Sequence, residues 1–161
     1  MIVDRQGFRL NVGIVLMNEQ GRVFWGKRIG HDAWQFPQGG IDAKETATEA
    51  VMRELHEEIG LSPEDVDLLG ITPYWLRYRL PKQYIRSGGK PKVIGQKQKW
   101  ALLKLNCPEQ KIRLDLSSSP EFDSWRWVDY WYPPKHVIFF KRKIYQQALQ
   151  ALEPVLKREL A

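Results

Sequence analysis

Only one cysteine occurs in the chain, Cys107, so neither an internal disulfide framework nor a zinc site built on cysteines is available. No apolar run is long enough to span a bilayer, and the opening MIVDRQGFRL lacks the apolar stretch of a secretory signal. A cytoplasmic protein that contacts no membrane is therefore expected. Acidic residues are missing as well, but only locally: none lies between Leu68 and Pro108. Nine of the 25 Lys and Arg fall there, namely Arg77, Arg79, Lys82, Arg86, Lys90, Lys92, Lys97, Lys99 and Lys104. The remaining cations are outnumbered by the 19 Asp and Glu, so the net charge of +6 belongs to this one segment. Tyr74, Trp75, Tyr78, Tyr84 and Trp100 are interleaved with it. Cations spaced among aromatics suit a phosphate-rich partner better than a merely solvated strand edge.

What is present fits one folded domain over residues 1–161. A hydrophobic content of 43% with seven Trp excludes a disordered chain and suffices for one core. Asn11 to Met17 reads as a buried strand, Asn18 to Gly21 as a turn, and Arg22 to Arg28 as the returning strand. A loop rich in Gly and Pro follows through Gly40. Glu45 to Ile59 has helical periodicity, with Thr46 and Glu49 as a capping box and Gly60 as its left-handed stop. Further strands are expected at Asp67–Thr72, Tyr74–Leu80, Gln98–Leu105 and Trp125–Val128, with a basic loop from Pro81 to Gly95. Apolar residues at Val137, Phe140, Ile144, Ala148 and Leu152 predict a C-terminal helix of about 135–153, ended or kinked by Pro154. The fold class is α/β (α+β), a mixed sheet flanked by helices.

The helix carries an unusual face. At about 100° per residue, Glu57 lies near −60° and Glu58 near +40° of Glu54. Val51, Leu55, Thr48, Ile59 and Met52 form the core-facing stripe beside them, and Ala47 and Ala50 leave room over the acids. Like charges at these spacings cost a few tenths of a kcal/mol per pair, and the helix dipole disfavours anions in the second half. Clustered carboxylate oxygens suit Mg²⁺ or Mn²⁺, which would repair the repulsion. Arg53, near −100°, is placed to clamp Glu57.

The string from Gly39 through Glu45, Arg53-Glu54-Leu55, Glu57-Glu58 and Gly60-Leu61 resembles the Nudix box at every defined position. Trp34-Gln-Phe-Pro-Gln-Gly-Gly-Ile41, Gly95-Gln-Lys-Gln-Lys-Trp100, Pro120-Glu-Phe-Asp123 and Trp125-Arg-Trp127 resemble, more narrowly, the bacterial RNA pyrophosphohydrolase and dinucleoside-polyphosphate hydrolase group. The resemblance implies a Nudix sandwich and metal-dependent pyrophosphohydrolysis. The substrate would be a 5′-triphosphate or diphosphate RNA end left as a monophosphate that promotes decay, or alternatively a dinucleoside polyphosphate such as diadenosine tetraphosphate. It implies Glu54, Glu57 and Glu58 as metal ligands, the Gly39 carbonyl as a further candidate, Arg53 as their orienting partner and Glu45 in a structural role.

Phosphoryl transfer then asks for a further carboxylate and for cations on the phosphates. Glu121, in a Ser-rich loop, is the candidate for taking a proton or completing a metal shell. Arg9, Arg28 and Lys141 are expected on the phosphates with Gln96 nearby, and Phe140 with Tyr78 on a base. Of Phe139 and Phe140, one is expected in the core and the other at the ligand. His31, His56 and His136 read as surface residues, Cys107 as inert, and Trp34, Trp125, Trp127 and Trp131 as structural. The expected partners are 5′-phosphorylated RNA or a dinucleoside polyphosphate, with room for an activating partner protein, and the expected state is a monomer.

Overall fold

The computed structural model describes residues 2–88 and 92–161, so Lys90 of the basic segment lies outside the described residues. Its centre is a parallel pair of strands, β1 (Phe8–Met17) and β7 (Gly95–Leu105), registered from Phe8 opposite Gly95 to Met17 opposite Lys104. Around it run β2 (Val23–Arg28), β3 (Trp34–Gln35), β4 (Gln38–Gly40), β5 (Val66–Ile71), β6 (Leu76–Arg79) and β8 (Phe122–Val128), all paired antiparallel. The sheet is mixed and eight-stranded, ordered β3-β2-β1-β7-β5, with β4 on β1, β6 on β7 and β8 on β2. The strands expected at Asn11, Gln98 and Trp125 each begin three residues earlier, at Phe8, Gly95 and Phe122.

Alternation divides the core in two. Val12, Ile14, Leu16, Ala101 and Leu103 face α1 (Ala47–Ile59) and meet its Val51, Leu55 and Ile59. Val15, Met17, Trp100 and Leu102 face α3 (Arg142–Leu160) and meet its Ile144, Tyr145, Leu149 and Leu152. Each of these large aliphatic side chains contributes about 1.5–3 kcal/mol by leaving water. Gly13 is required beneath Trp100, whose indole occupies the space a Cβ would take. Trp25 and Trp100 are fully buried, whereas Trp34, Trp125, Trp127 and Trp131 pack from the rim.

Thr46 caps α1 with the expected capping box, and Gly60, at φ 79°, closes it through its N–H to the His56 carbonyl. Thr48, placed by periodicity in the core stripe, is exposed because its turn precedes the contact with the sheet.

The C-terminal expectation of one helix over about 135–153 is corrected. A short α2 (Pro133–His136) ends at extended Val137, a 3₁₀ turn spans Phe139–Lys141, and α3 runs through Pro154 to Leu160. The break turns Val137 inward and delivers Lys141 buried. Pro154 withholds a hydrogen bond from Gln150, which is exposed, while Leu152 and Leu156 keep the helix packed on both sides.

Candidate active site

Two adjacent glycines set the geometry. In β4, Gly39 lies opposite Val12 of β1 and Gly40 opposite Asn11. A Cβ on Gly39 would overlap the Glu54 carboxylate, and one on Gly40 would meet the Arg9 guanidinium. Neighbouring strand residues point to opposite faces, so β4 separates an acidic side from a basic side by one backbone thickness. The Gly39 carbonyl belongs to that same backbone.

Arg53 organises the acidic side. Its Nε donates to Glu45 Oε2 at 2.8 Å, and its guanidinium also donates to Glu45 Oε1 at 2.9 Å, the Gly40 carbonyl at 2.7 Å and Glu54 Oε1 at 2.8 Å. Its contact with Glu57 is longer, 3.4 Å. The expected clamp on Glu57 is thus corrected: the bidentate partner is Glu45, because the loop before the helix folds back across Arg53, which intrahelical angles do not reveal. Burial pushes the Glu54 carboxyl up, against the opposing pull of Arg53.

Glu58 is the more stressed acid. Its carboxyl stands beside that of Glu54 and the Gln38 N–H, and its Oε2 is fully buried without a partner. Burial first, then the charges of Glu54 and Glu121, hold it well above the ordinary carboxylate range. Glu57 is exposed, and its charge adds to the upward pull on Glu54. Among the described residues no three acidic, imidazole or thiol groups stand close enough to hold a cation. Glu121 stands immediately before β8, where its carbonyl accepts from the Ile29 N–H and its Oε1 pairs with Arg28 Nε at 3.3 Å. It is tethered to the end of β2, not carried on a free loop.

The basic side lies on the α3 face of the sheet. Arg9, Gln96 and Tyr78 form one row across β1, β7 and β6, through the pairings Arg9–Gln96 and Gln96–Tyr78. Arg9 Nε and Gln96 Oε1 are buried with no hydrogen-bond partner. One rung below, Gln98 Nε2 donates to Asn11 Oδ1 at 2.7 Å and approaches Gln38 Oε1 at 3.4 Å. Lys141 Nζ lies 3.4 Å from both Gln35 Oε1 and Gln38 Oε1. Burial, then the neighbouring Arg28, pull its ammonium down to about 8, with Glu121 opposing. Burial pushes the Tyr78 hydroxyl up, with Arg9 and Gln38 opposing. Gln35, Gln38, Asn11 and Gln98 are not among the expected site residues; their signals are polar side chains at inward strand positions and, for the three glutamines, a place in the strings Trp34 to Ile41 and Gly95 to Trp100.

Arg28, Trp34, Gln35, Phe140 and Lys141 open onto a cavity of about 460 Å³. Phe140 is half-buried there against Tyr78 and Tyr84, with ring centroids 6.0 and 4.9 Å away, while Phe139 is 57% exposed. His31, His56 and His136 are exposed, the last stacked on Tyr132. Burial pushes the Cys107 thiol up, away from reactivity. No helix among the described residues is long and apolar enough to cross a membrane.

Comparison with known proteins bears on the family and the fold. A chain from Legionella pneumophila (strain Corby), named RNA pyrophosphohydrolase, is 67% identical over 159 residues, covering 99% of this chain and 91% of that one. In fold, the chain is similar to the E. coli dihydroneopterin triphosphate pyrophosphohydrolase, with a TM-score of 0.68 at 21% identity, over 89% of this chain and 97% of that one. It is also similar to a C. elegans Ap4A hydrolase in a binary complex, with a TM-score of 0.63 at 20% identity, over 91% and 98% of the two chains. The model of the NUDIX domain matches residues 7–148, and the chain belongs to the Nudix family.

Proposed function

We propose that the chain is an RNA 5′-pyrophosphohydrolase, which converts a 5′-triphosphate or diphosphate end to a monophosphate and so exposes the RNA to decay. The reading is carried by the two-sided geometry of β4, where buried carboxylates at Gly39 face, across one backbone, the cations that would hold a phosphate chain at Gly40. The name borne by the Legionella pneumophila relative supports the same substrate.

Hydrolases of this family use divalent cations. The residues here fit one: Glu58 Oε2 is buried and unsatisfied, Glu54 and Glu58 repel unless protonated, and all the donors are hard oxygens. Glu54, Glu57, Glu58 and Glu121 with the Gly39 carbonyl would hold it. Bound there, Mg²⁺, or Mn²⁺ in its place, supplies charge neutralisation on phosphate oxygens and lowers the pKa of water.

The chain's own residues do the rest. Arg53 keeps Glu54 in one rotamer by holding it against Glu45 and the Gly40 carbonyl. Arg9, Arg28 and Lys141 neutralise and align the phosphates, and Gln96 offers a polar contact among them. Glu121 would take a proton from the attacking water, whose oxygen ends on one phosphate as the P–O–P bond breaks and the remaining phosphates leave. Phe140, lining the cavity beside Tyr78, gives a base a face to stack on. We take the enzyme to act as a cytoplasmic monomer.

A dinucleoside polyphosphate would meet the same cations, so the decisive measurement compares turnover of 5′-triphosphorylated RNA with that of diadenosine tetraphosphate, with and without Mg²⁺. Faster release of pyrophosphate from the RNA, abolished by chelation, is the expected result. A large preference for the dinucleotide would reverse the assignment.

A further inference from the structure

The strand pair that presents Tyr78 and Gln96 to the proposed pocket carries a second array on its other face. Among the described residues β6 pairs with β7 alone, so it is an edge of the sheet. There Arg77 lies opposite Lys97; Arg79 stands two residues along β6, opposite Gly95, and Lys99 two residues along β7 in the other direction. The buried ring of Phe8 supports the guanidinium groups of Arg77 and Arg79 at 5.3 and 5.7 Å. Trp75 supports the ammonium groups of Lys97 and Lys99 at 5.4 and 5.2 Å. Lys99 is further held by the Pro73 carbonyl at 3.2 Å, and Lys97 by Asp4 at 2.9 Å. Asp4 is the one acid paired with these four cations among the described residues. Arg77 is bonded to the neutral Gln6 at 3.2 Å, and both arginines are exposed.

Edge strands commonly carry lysines as protection against pairing, but such lysines are free in solvent. These cations are instead fixed on aromatic rings, and their ordering entropy is already lost before any partner arrives. Successive cations on one strand face stand about 6–7 Å apart, comparable to neighbouring phosphates of an extended chain. A preordered row of this kind, four cations against the single acid Asp4, recognises a polyanion by its backbone.

Resting on the assignment of RNA as substrate, we infer that the RNA beyond the reacting 5′ end crosses the edge strand β6 and lies with its phosphates along Arg77, Arg79, Lys97 and Lys99. The 5′ nucleotides occupy the pocket face and the following nucleotides the opposite face of the same two strands. The contact is sequence-independent, and it serves long substrates only.

The test uses the full-length protein, a 5′-triphosphorylated dinucleotide and an RNA of about twelve nucleotides. The wild type should bind the longer RNA more tightly and with a steeper salt dependence. The double variant Arg77→Gln/Arg79→Gln should lose about tenfold in affinity for the longer RNA, its log–log salt slope should flatten by about 1.4 for two lost phosphate contacts, and dinucleotide turnover should not change. Equal losses on both substrates would place the arginines in the pocket instead, and no loss on either would leave the face to an acidic protein; both outcomes overturn the inference. If the variant unfolds, equal affinity and salt slope of the wild type for the two RNAs overturns it alone. Failure of the wild type to act on any triphosphorylated RNA would sink the substrate assignment itself, a separate result.

Discussion

Arg53 and Glu45 are joined by two parallel hydrogen bonds of 2.8 and 2.9 Å, and the same guanidinium reaches Glu54 at 2.8 Å. The planar fork is what makes three partners simultaneous, because each nitrogen has its own direction. Lysine offers a point charge and cannot hold Glu45, the Gly40 carbonyl and Glu54 together. Arg53→Lys should therefore lower kcat by roughly 10–100-fold with a smaller change in KM, as expected for a group acting through a metal ligand. Steady-state kinetics decide it; a loss confined to KM would contradict the orienting role.

Gly39→Ala tests the close approach of β4 to α1. The added methyl would occupy the volume of the Glu54 carboxylate, so either the strand or the helix must shift. A destabilisation of about 1–3 kcal/mol is expected from overpacking. Mn²⁺ affinity, read by calorimetry or electron paramagnetic resonance, should fall more than tenfold. Unchanged affinity would separate Glu54 from the cation.

The two sides of β4 should also divide the kinetic parameters. Arg28 sits at the end of β2, paired with Glu121 at 3.3 Å and lining the cavity. Arg28→Ala should raise KM about tenfold by removing a charge-assisted contact to phosphate. Glu57→Gln should instead lower kcat by at least about a hundredfold with KM nearly constant. Glu57→Gln with full turnover would remove that residue from the cation site.

Much of the acidic side was legible in the sequence because it is local. Glu54, Glu57 and Glu58 share one helix, and Thr46, Glu49 and Gly60 mark its ends, so periodicity alone places them. The basic side was only partly legible, because it is assembled from strands distant in sequence. Asn11 and Gln98 meet across 87 residues, and nothing in either strand by itself announces the pairing. Arg53 was read against its helical neighbour Glu57, whereas the loop brings Glu45 to it. Pro154 suggests an end or a kink, yet the helix continues to Leu160 because the apolar stripe of α3 outweighs the one hydrogen bond it forfeits.

Lys141 supplies a prediction about pH. Its ammonium titrates near 8 in the folded protein, against an ordinary 10.5, through burial and the charge of Arg28, with Glu121 opposing. The unfolded chain thus holds this proton more tightly, and the sign follows: stability should rise with pH between about 8 and 10.5 as the buried charge is relieved, by an amount of order 3 kcal/mol. Substrate binding should run the other way. A phosphate beside Nζ favours the charged form, so above about pH 8 binding must take up a proton and KM should rise, while below it KM stays flat. Lys141→Met removes the charge and its buried cost together. It should bind weakly at every pH, lack the alkaline rise in KM, and resist denaturant better than the wild type at neutral pH. A wild-type KM that is level through pH 9.5, measured with chelation controls, would show that Lys141 does not touch the phosphates.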